Sequence, residues 1–311
     1  MTTGAMDYAA ILKQLSIVII SESEKFSTVF ILNGQEFLAI LLFAVIVFNA
    51  LEIALGGGMD AFVELIVTVI QACVVLSLIM NYQSAVIDSI TSIFNGLQLA
   101  ATGGQSGDAA MESIVNLLTS TSGKLYVQLL DNTKNSLLSW KSVIPGVAAA
   151  HMQEGLVGLL FITIASVLLM LSAIVVMWYW TLGTFLLGIS LAFGPLMIPS
   201  IIHERVSFIF DGWFKYTIGA GFLKLVAIVV ITITANVLIS MQAHLEINIT
   251  NGDALPIQAS MTAVLLALTV LFLCLQIPDI ASGLLSGATK GAKGSLPGAG
   301  LAKNVLKSVK L

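Results

Sequence analysis

Charge is what this chain has least of. Only 10% of its 311 residues are Asp, Glu, Lys or Arg, against 58% hydrophobic. Soluble domains carry roughly 25% charged residues, so an ordinary water-facing globular surface is excluded. Positive charge is scarcer still. Thirteen Lys and Arg against 17 Asp and Glu leave a net charge of −4, which excludes nucleic-acid binding through a broad basic surface. Cysteine is nearly absent: Cys73 and Cys274 both sit inside apolar runs, so neither a disulfide framework nor a cysteine-rich metal site can be built. The three histidines, His151, His203 and His244, are scattered. No HExxH, CxxC, P-loop or GxSxG pattern occurs, and Gly103–Gly107 follows no strand. The signatures of hydrolytic, metal and phosphate-binding chemistry are missing. The chain reads as a non-enzyme without a cofactor.

Apolar sequence is what remains, with a mean hydropathy of +1.01. Crossing a bilayer core takes about 20 mostly apolar residues. Six stretches reach that length: Phe37–Leu55, Phe62–Met80, Leu156–Trp180, Thr181–Ile201, Tyr216–Ser240 and Ile257–Ile277. The pattern predicts an all-α polytopic membrane protein. About five transmembrane helices are expected, plus one Gly/Pro-broken segment that crosses or re-enters.

Upstream of the first span, Tyr8, Ile11, Leu12, Leu15 and Ile19 recur at helical spacing. That spacing predicts an amphipathic helix lying at an interface or against a partner helix within residues 1–36. A membrane hairpin is expected over 37–80. Residues 81–155 then turn rich in Ser, Thr, Asn, Gln and Gly, too polar to span and too apolar to be disordered. This block should form helices packed on a surface. The membrane core follows over 156–277.

Within that core, Thr181–Ile201 holds Gly183, Gly188, Gly194, Pro195 and Pro199. Proline removes a backbone donor and costs about 3 kcal/mol in a helix interior. A broken backbone at membrane depth must be covered by protein or line a water-filled cavity. The segment 181–201 is therefore expected to be broken and buried. In the linker 202–215, Glu204, Ser207, Asp211 and Lys215 form one stripe and Val206, Phe210 and Trp213 the opposite one. That reads as a short interfacial helix with Trp213 as its aromatic anchor. Small-residue pairs, Gly155 with Gly158, Gly183 with Gly188 and Gly219 with Gly221, suit close helix approach in lipid.

Intramembrane charge is the usual pointer to function. Glu52 and Glu64 flank Gly56-Gly57-Gly58 and can snorkel to an interface. Lys224 lies about 12 Å along a helix from Tyr216, where it reaches headgroups or pairs inside the bundle with an acid. The tail 278–311 carries Lys290, Lys293, Lys303, Lys307 and Lys310 against Asp279, a flexible basic end that marks the cytoplasm and suits contact with membrane lipid. Six crossings would place every loop cation on the tail's side. Five crossings with a re-entrant 181–201 would put the amino end and the 81–155 block on the far side. Charge alone leaves both open.

An apolar helix ending in Gly194-Pro195-Leu196, a charged linker with Arg205, Trp213, and then another long span together resemble the TrbL family of polytopic type IV secretion subunits. The late first span, the polar block after the second span and the lysine-rich tail extend the likeness over the whole chain. The resemblance implies a non-enzymatic platform or channel subunit of the bacterial inner membrane, supporting pilus assembly and transfer of DNA–protein complexes or effectors. It also implies the five-crossing scheme, with a periplasmic amino end and central block and a cytoplasmic tail. The implied partners are further copies in a ring, a pentamer, together with pilin and minor pilin subunits, secretion ATPases, other inner-membrane components and the transferred DNA–protein substrate. By the same resemblance Gly194, Pro195, Pro199, Arg205, Trp213 and Lys224 are assembly residues. The competing reading is a small-solute or ion transporter. It predicts matching broken helices in two inverted halves, and only the second half has one.

Overall fold

The computed structural model describes residues 8–56, 58–139, 145–249 and 257–286. Eight α-helices follow one another: α1 Tyr8–Ala54, α2 Gly58–Met80, α3 Asp88–Ala101, α4 Gly107–Ser139, α5 Pro145–Met197, α6 Ser207–Ile249, α7 Ile257–Leu275 and α8 Ile277–Ser286. A π-helical turn, Gln83–Ile87, precedes α3, and a 3₁₀ turn, Ile198–Ile202, follows α5. No strand occurs among the described residues. Four helices are long and apolar enough to cross a membrane, and five if the bent pair α7–α8 counts as one span. The protein is an all-α polytopic membrane protein.

Three boundaries differ from the sequence reading. Leu156–Trp180 and Thr181–Ile201 are not two segments but parts of the single 53-residue helix α5. Its glycines do not break it, because each of Gly183, Gly188 and Gly194 is a point where another helix comes close. The linker 202–215 is likewise not a separate interfacial helix, since its second half forms the opening turns of α6. The tail does not become irregular at Pro278. That proline lacks the N–H that would bond Cys274 and bends the chain by 41°, after which α8 runs on to Ser286. Residues 287–311 lie outside the described residues.

The chain divides into two compact units. The first takes residues 1–108 and 181–225, hence α1, α2, α3, the end of α5 and the start of α6. Its core joins Leu38, Val75, Ile79, Tyr82, Ile87, Leu191, Ile198 and Trp213. In α1 the buried stripe is Ser16, Ser23, Ser27, Gly34, Leu38, Val45 and Asn49, while Leu15, Phe26, Val29, Leu32, Ile40 and Phe43 point outward. Of the amphipathic face expected near the amino end, Leu15 is exposed and Ile19 is half-buried against Gly188 of α5, while Tyr8, Ile11 and Leu12 lie outside the side chains described. Lipid is as apolar as leucine, so large apolar groups gain little by turning inward, and small residues pack the helix contact instead. The stripe repeats every eleven residues, through 16, 27, 38 and 49, close to the natural period of a helix. The π turn adds one residue between Tyr82 and Ile87, which keeps both on the inner side.

The second unit takes residues 109–180 and 226–311. Its buried positions, Ile162, Ala165, Leu169, Ala173 and Val176 on α5 and Ala263, Ala267, Val270 and Cys274 on α7, follow helical spacing with alanine at every second or third place. Small residues again make the seam.

Candidate functional site: a proline corner and a cavity beside Lys224

In an α-helix the carbonyl of residue 191 accepts a hydrogen bond from the N–H of residue 195. Residue 195 is proline and has none. Tyr82, just past the apolar stretch of α2, supplies the missing donor: its hydroxyl donates to the Leu191 carbonyl at 2.6 Å. The neighbouring Ser190 carbonyl accepts a bond of 2.7 Å from the Trp213 indole N–H. The Thr217 hydroxyl donates to the Trp213 carbonyl at 2.8 Å and also shares a hydrogen bond with the Ser190 hydroxyl. An unsatisfied backbone group in lipid costs several kcal/mol, and here the carbonyl that the proline leaves open has a donor. Burial pushes the Tyr82 phenol well above its ordinary value of 10.0, so it stays protonated and keeps donating.

Glycine makes the approach possible. A β-carbon on Gly194 would strike the hydroxyl end of Tyr82, and one on Gly34 of α1 would strike the Pro195 carbonyl. Phe30 of α1 stacks on Phe193, ring centres 5.3 Å apart. The corner therefore draws α1, the end of α2, α5 and α6 to one point.

Of the residues singled out in the sequence, Gly194, Pro195 and Trp213 meet at this corner. Trp213 is buried, 9% exposed, and acts from within the bundle. Its indole N–H is drawn in by the Ser190 carbonyl, whereas the nearby Phe214 and Tyr216 remain exposed. Pro199 is buried in the 3₁₀ turn, one residue after Ile198 opens it. Arg205 is exposed, and its backbone N–H donates to His203 Nδ1 at 3.1 Å. Glu52 and Glu64 are both exposed, the former beside a shallow surface hollow with Phe48 and Leu55. Gly158 has open space where a side chain would go, and His151 and His244 lie outside the side chains described.

Lys224 sits apart from the corner and is 8% exposed. It lines a cavity of about 40 Å³ in the first unit, together with Glu24 of α1, Asn95 and Gln98 of α3, and Thr184 of α5. The helices come close there: a β-carbon on Gly183 would lie 3.1 Å from the backbone nitrogen of Lys224. Asp108, in the first turn of α4, acts on the lysine electrostatically. Among the described residues no three His, Cys, Asp or Glu side chains converge as metal ligands. Tyr82, Gly34, Glu24 and Gln98 were not singled out in the sequence. The one available signal was that a proline at membrane depth needs a donor from elsewhere.

This arrangement brings helices together at a proline whose open carbonyl another part of the chain supplies with a donor. The chain matches the family described as TrbL/VirB6 plasmid conjugal transfer protein over residues 42–277. The chain belongs to this family. The TrbL/VirB6 match begins inside α1, ends at the first residue of α8, and contains Tyr82, Gly194, Pro195, Trp213 and Lys224. The protein is accordingly a multi-pass membrane component of conjugal transfer machinery, related to type IV secretion and working within a multi-subunit complex. No curated protein matches the chain.

Proposed function

We propose that this TrbL/VirB6 protein is an inner-membrane platform or channel subunit of a type IV secretion system, supporting pilus assembly and the passage of DNA–protein complexes or effectors. The observation that supports it most directly is the family match across residues 42–277. The surface of α1 adds to it: many large apolar side chains face outward while serines and a glycine lie within the inner stripe, which suits a helix held among others in lipid. Copies of the subunit form a ring, a pentamer, in contact with pilin and minor pilin subunits and with partner ATPases that supply energy. The amino end and the central block face the periplasm, and the lysine-rich tail faces the cytoplasm and its anionic lipid. The protein itself performs no chemistry.

In-frame deletion from a conjugative plasmid tests this. Transfer and pilus production should both be lost and both return on complementation. Purified from detergent with its neighbours, the protein should bring other copies and secretion ATPases. Normal transfer by the deletion, or solute transport by the lone protein in liposomes, would overturn the proposal. Phosphatase fusions after residues 120 and 248 should be active, and one after 208 inactive.

A further inference from the structure

We propose that the outward face of α1 is a contact between copies of this chain, in which the α1 helices of neighbouring copies lie parallel and in register. It rests on the ring proposed above and gives that ring a seam. The argument starts from length. The 47 residues of α1 make a helix of about 70 Å at 1.5 Å per residue, whereas the hydrocarbon core is about 30 Å thick. Even at a tilt of about 40°, the steep end of the observed range, α1 rises about 50 Å. Part of it therefore stands outside lipid wherever the bilayer lies. Its outward apolar groups do not stop at any such boundary. Val18, Val29, Ile40 and Leu51 are 50, 64, 66 and 54% exposed and run nearly the length of the helix. Large apolar groups left in water mark a surface that another protein covers.

Spacing identifies the partner. Eleven residues make three turns with almost no rotation, so these four residues form a straight row, opposite the buried row Ser16, Ser27, Leu38 and Asn49. A mate that follows the row from end to end must itself be a long straight helix with the same period. A second α1 is one. Copies related by rotation about an axis along the membrane normal lie parallel. The polar neighbours of the row repeat with it: Glu22 with Lys25 and, eleven residues on, Asn33 with Glu36, all exposed. Residues three apart share a helix face, so a neighbour in register brings its Lys25 to Glu22 and its Glu36 to Asn33. The first is a pair of opposite charges, the second an amide donor with a carboxylate acceptor. Lys25 bonds Glu22 of its own helix at 2.6 Å and keeps further donors for the neighbour.

Disulfide trapping of the full chain in native membranes tests the seam. Cys73 is exposed and is replaced first, by Cys73→Ala; Cys274 is buried. On that background Val18→Cys, Val29→Cys and Ile40→Cys should each form linked dimers several-fold faster than Ile17→Cys and Thr28→Cys. Those two are exposed as well but lie about 100° round the helix from the row. Equal yields on and off the row, as chance collision in lipid gives, would overturn the proposal, and so would linking of the row thiols to a different protein. The three row positions are independent, so one variant that fails to insert leaves two that decide. Native mass spectrometry separates this seam from the ring it rests on. Oligomers whose row thiols do not link remove the seam and leave the ring standing, while a monomer with no linking removes both.

Discussion

The phenol of Tyr82 donates to the carbonyl of Leu191, 109 residues further along the chain. That carbonyl is the one whose helical donor Pro195 removes. The helical bond that Pro195 removes is thereby replaced by a donor from a distant part of the chain. Tyr82→Phe should lower stability in detergent by about 1–3 kcal/mol, the cost of leaving a buried acceptor unpaired. Pro195→Ala restores an N–H at that position, so Tyr82→Phe should cost less in its background. A thermal-unfolding double-mutant cycle reads the coupling, expected to be at least about 0.5 kcal/mol; none at all would deny the relationship.

The same bond has a pH signature. An unfolded tyrosine loses its proton near 10, and burial holds the Tyr82 proton to higher pH. The stability this contributes is complete below that ordinary value and disappears as pH rises through the higher folded one. Alkaline titration of unfolding should therefore show a loss above about pH 10 that Tyr82→Phe lacks.

Gly194 admits the tyrosine ring, so Gly194→Ala should destabilise by about 1–3 kcal/mol through overpacking. Gly212, in α6, has nothing within 4 Å of where a β-carbon would lie. Gly212→Ala should instead stabilise by about 0.5–1 kcal/mol, since alanine favours the helix. Equal effects at the two positions would mean that the close approach is not there.

Trp213→Phe keeps a ring in place and loses the bond to Ser190, for which about 0.5–1.5 kcal/mol is expected. Trp213→Ala also leaves a cavity, and about 3–5 kcal/mol is expected. Membrane insertion should survive in both. Subunit abundance and transfer frequency should fall in that order, and normal pilus production by Trp213→Ala would contradict a bracing role.

Glu52→Gln and Glu64→Gln should each change stability by no more than about 0.5 kcal/mol, because both side chains are exposed and no ion pair is recorded for either. Mating assays should show transfer at wild-type levels. A large loss would assign these acids a partner in the assembled complex.

Much of the fold was legible in advance. Runs such as Phe62–Met80 and Ile257–Ile277 fall on helices, α2 from Gly58 to Met80 and α7 from Ile257 to Leu275. Between α3 and α4 the chain turns on Gly103 and Gly104, which take positive φ, 69° and 98°. The glycines of α5 misled, because close approach and chain reversal use the same residue. Only a neighbour's position separates them.

Composition and run length alone settled that this chain is a bundle of membrane helices, since too few charges remain to solvate any other fold. Local chemistry also marked Gly194, Pro195 and Trp213 as unusual. What gathers around them was decided by tertiary structure. A proline announces a carbonyl without a donor, yet the donor lies wherever packing brings one, and no local rule links Tyr82 to Leu191 or Trp213 to Ser190. Those pairings follow from four helices meeting at small residues, a property of the assembled bundle.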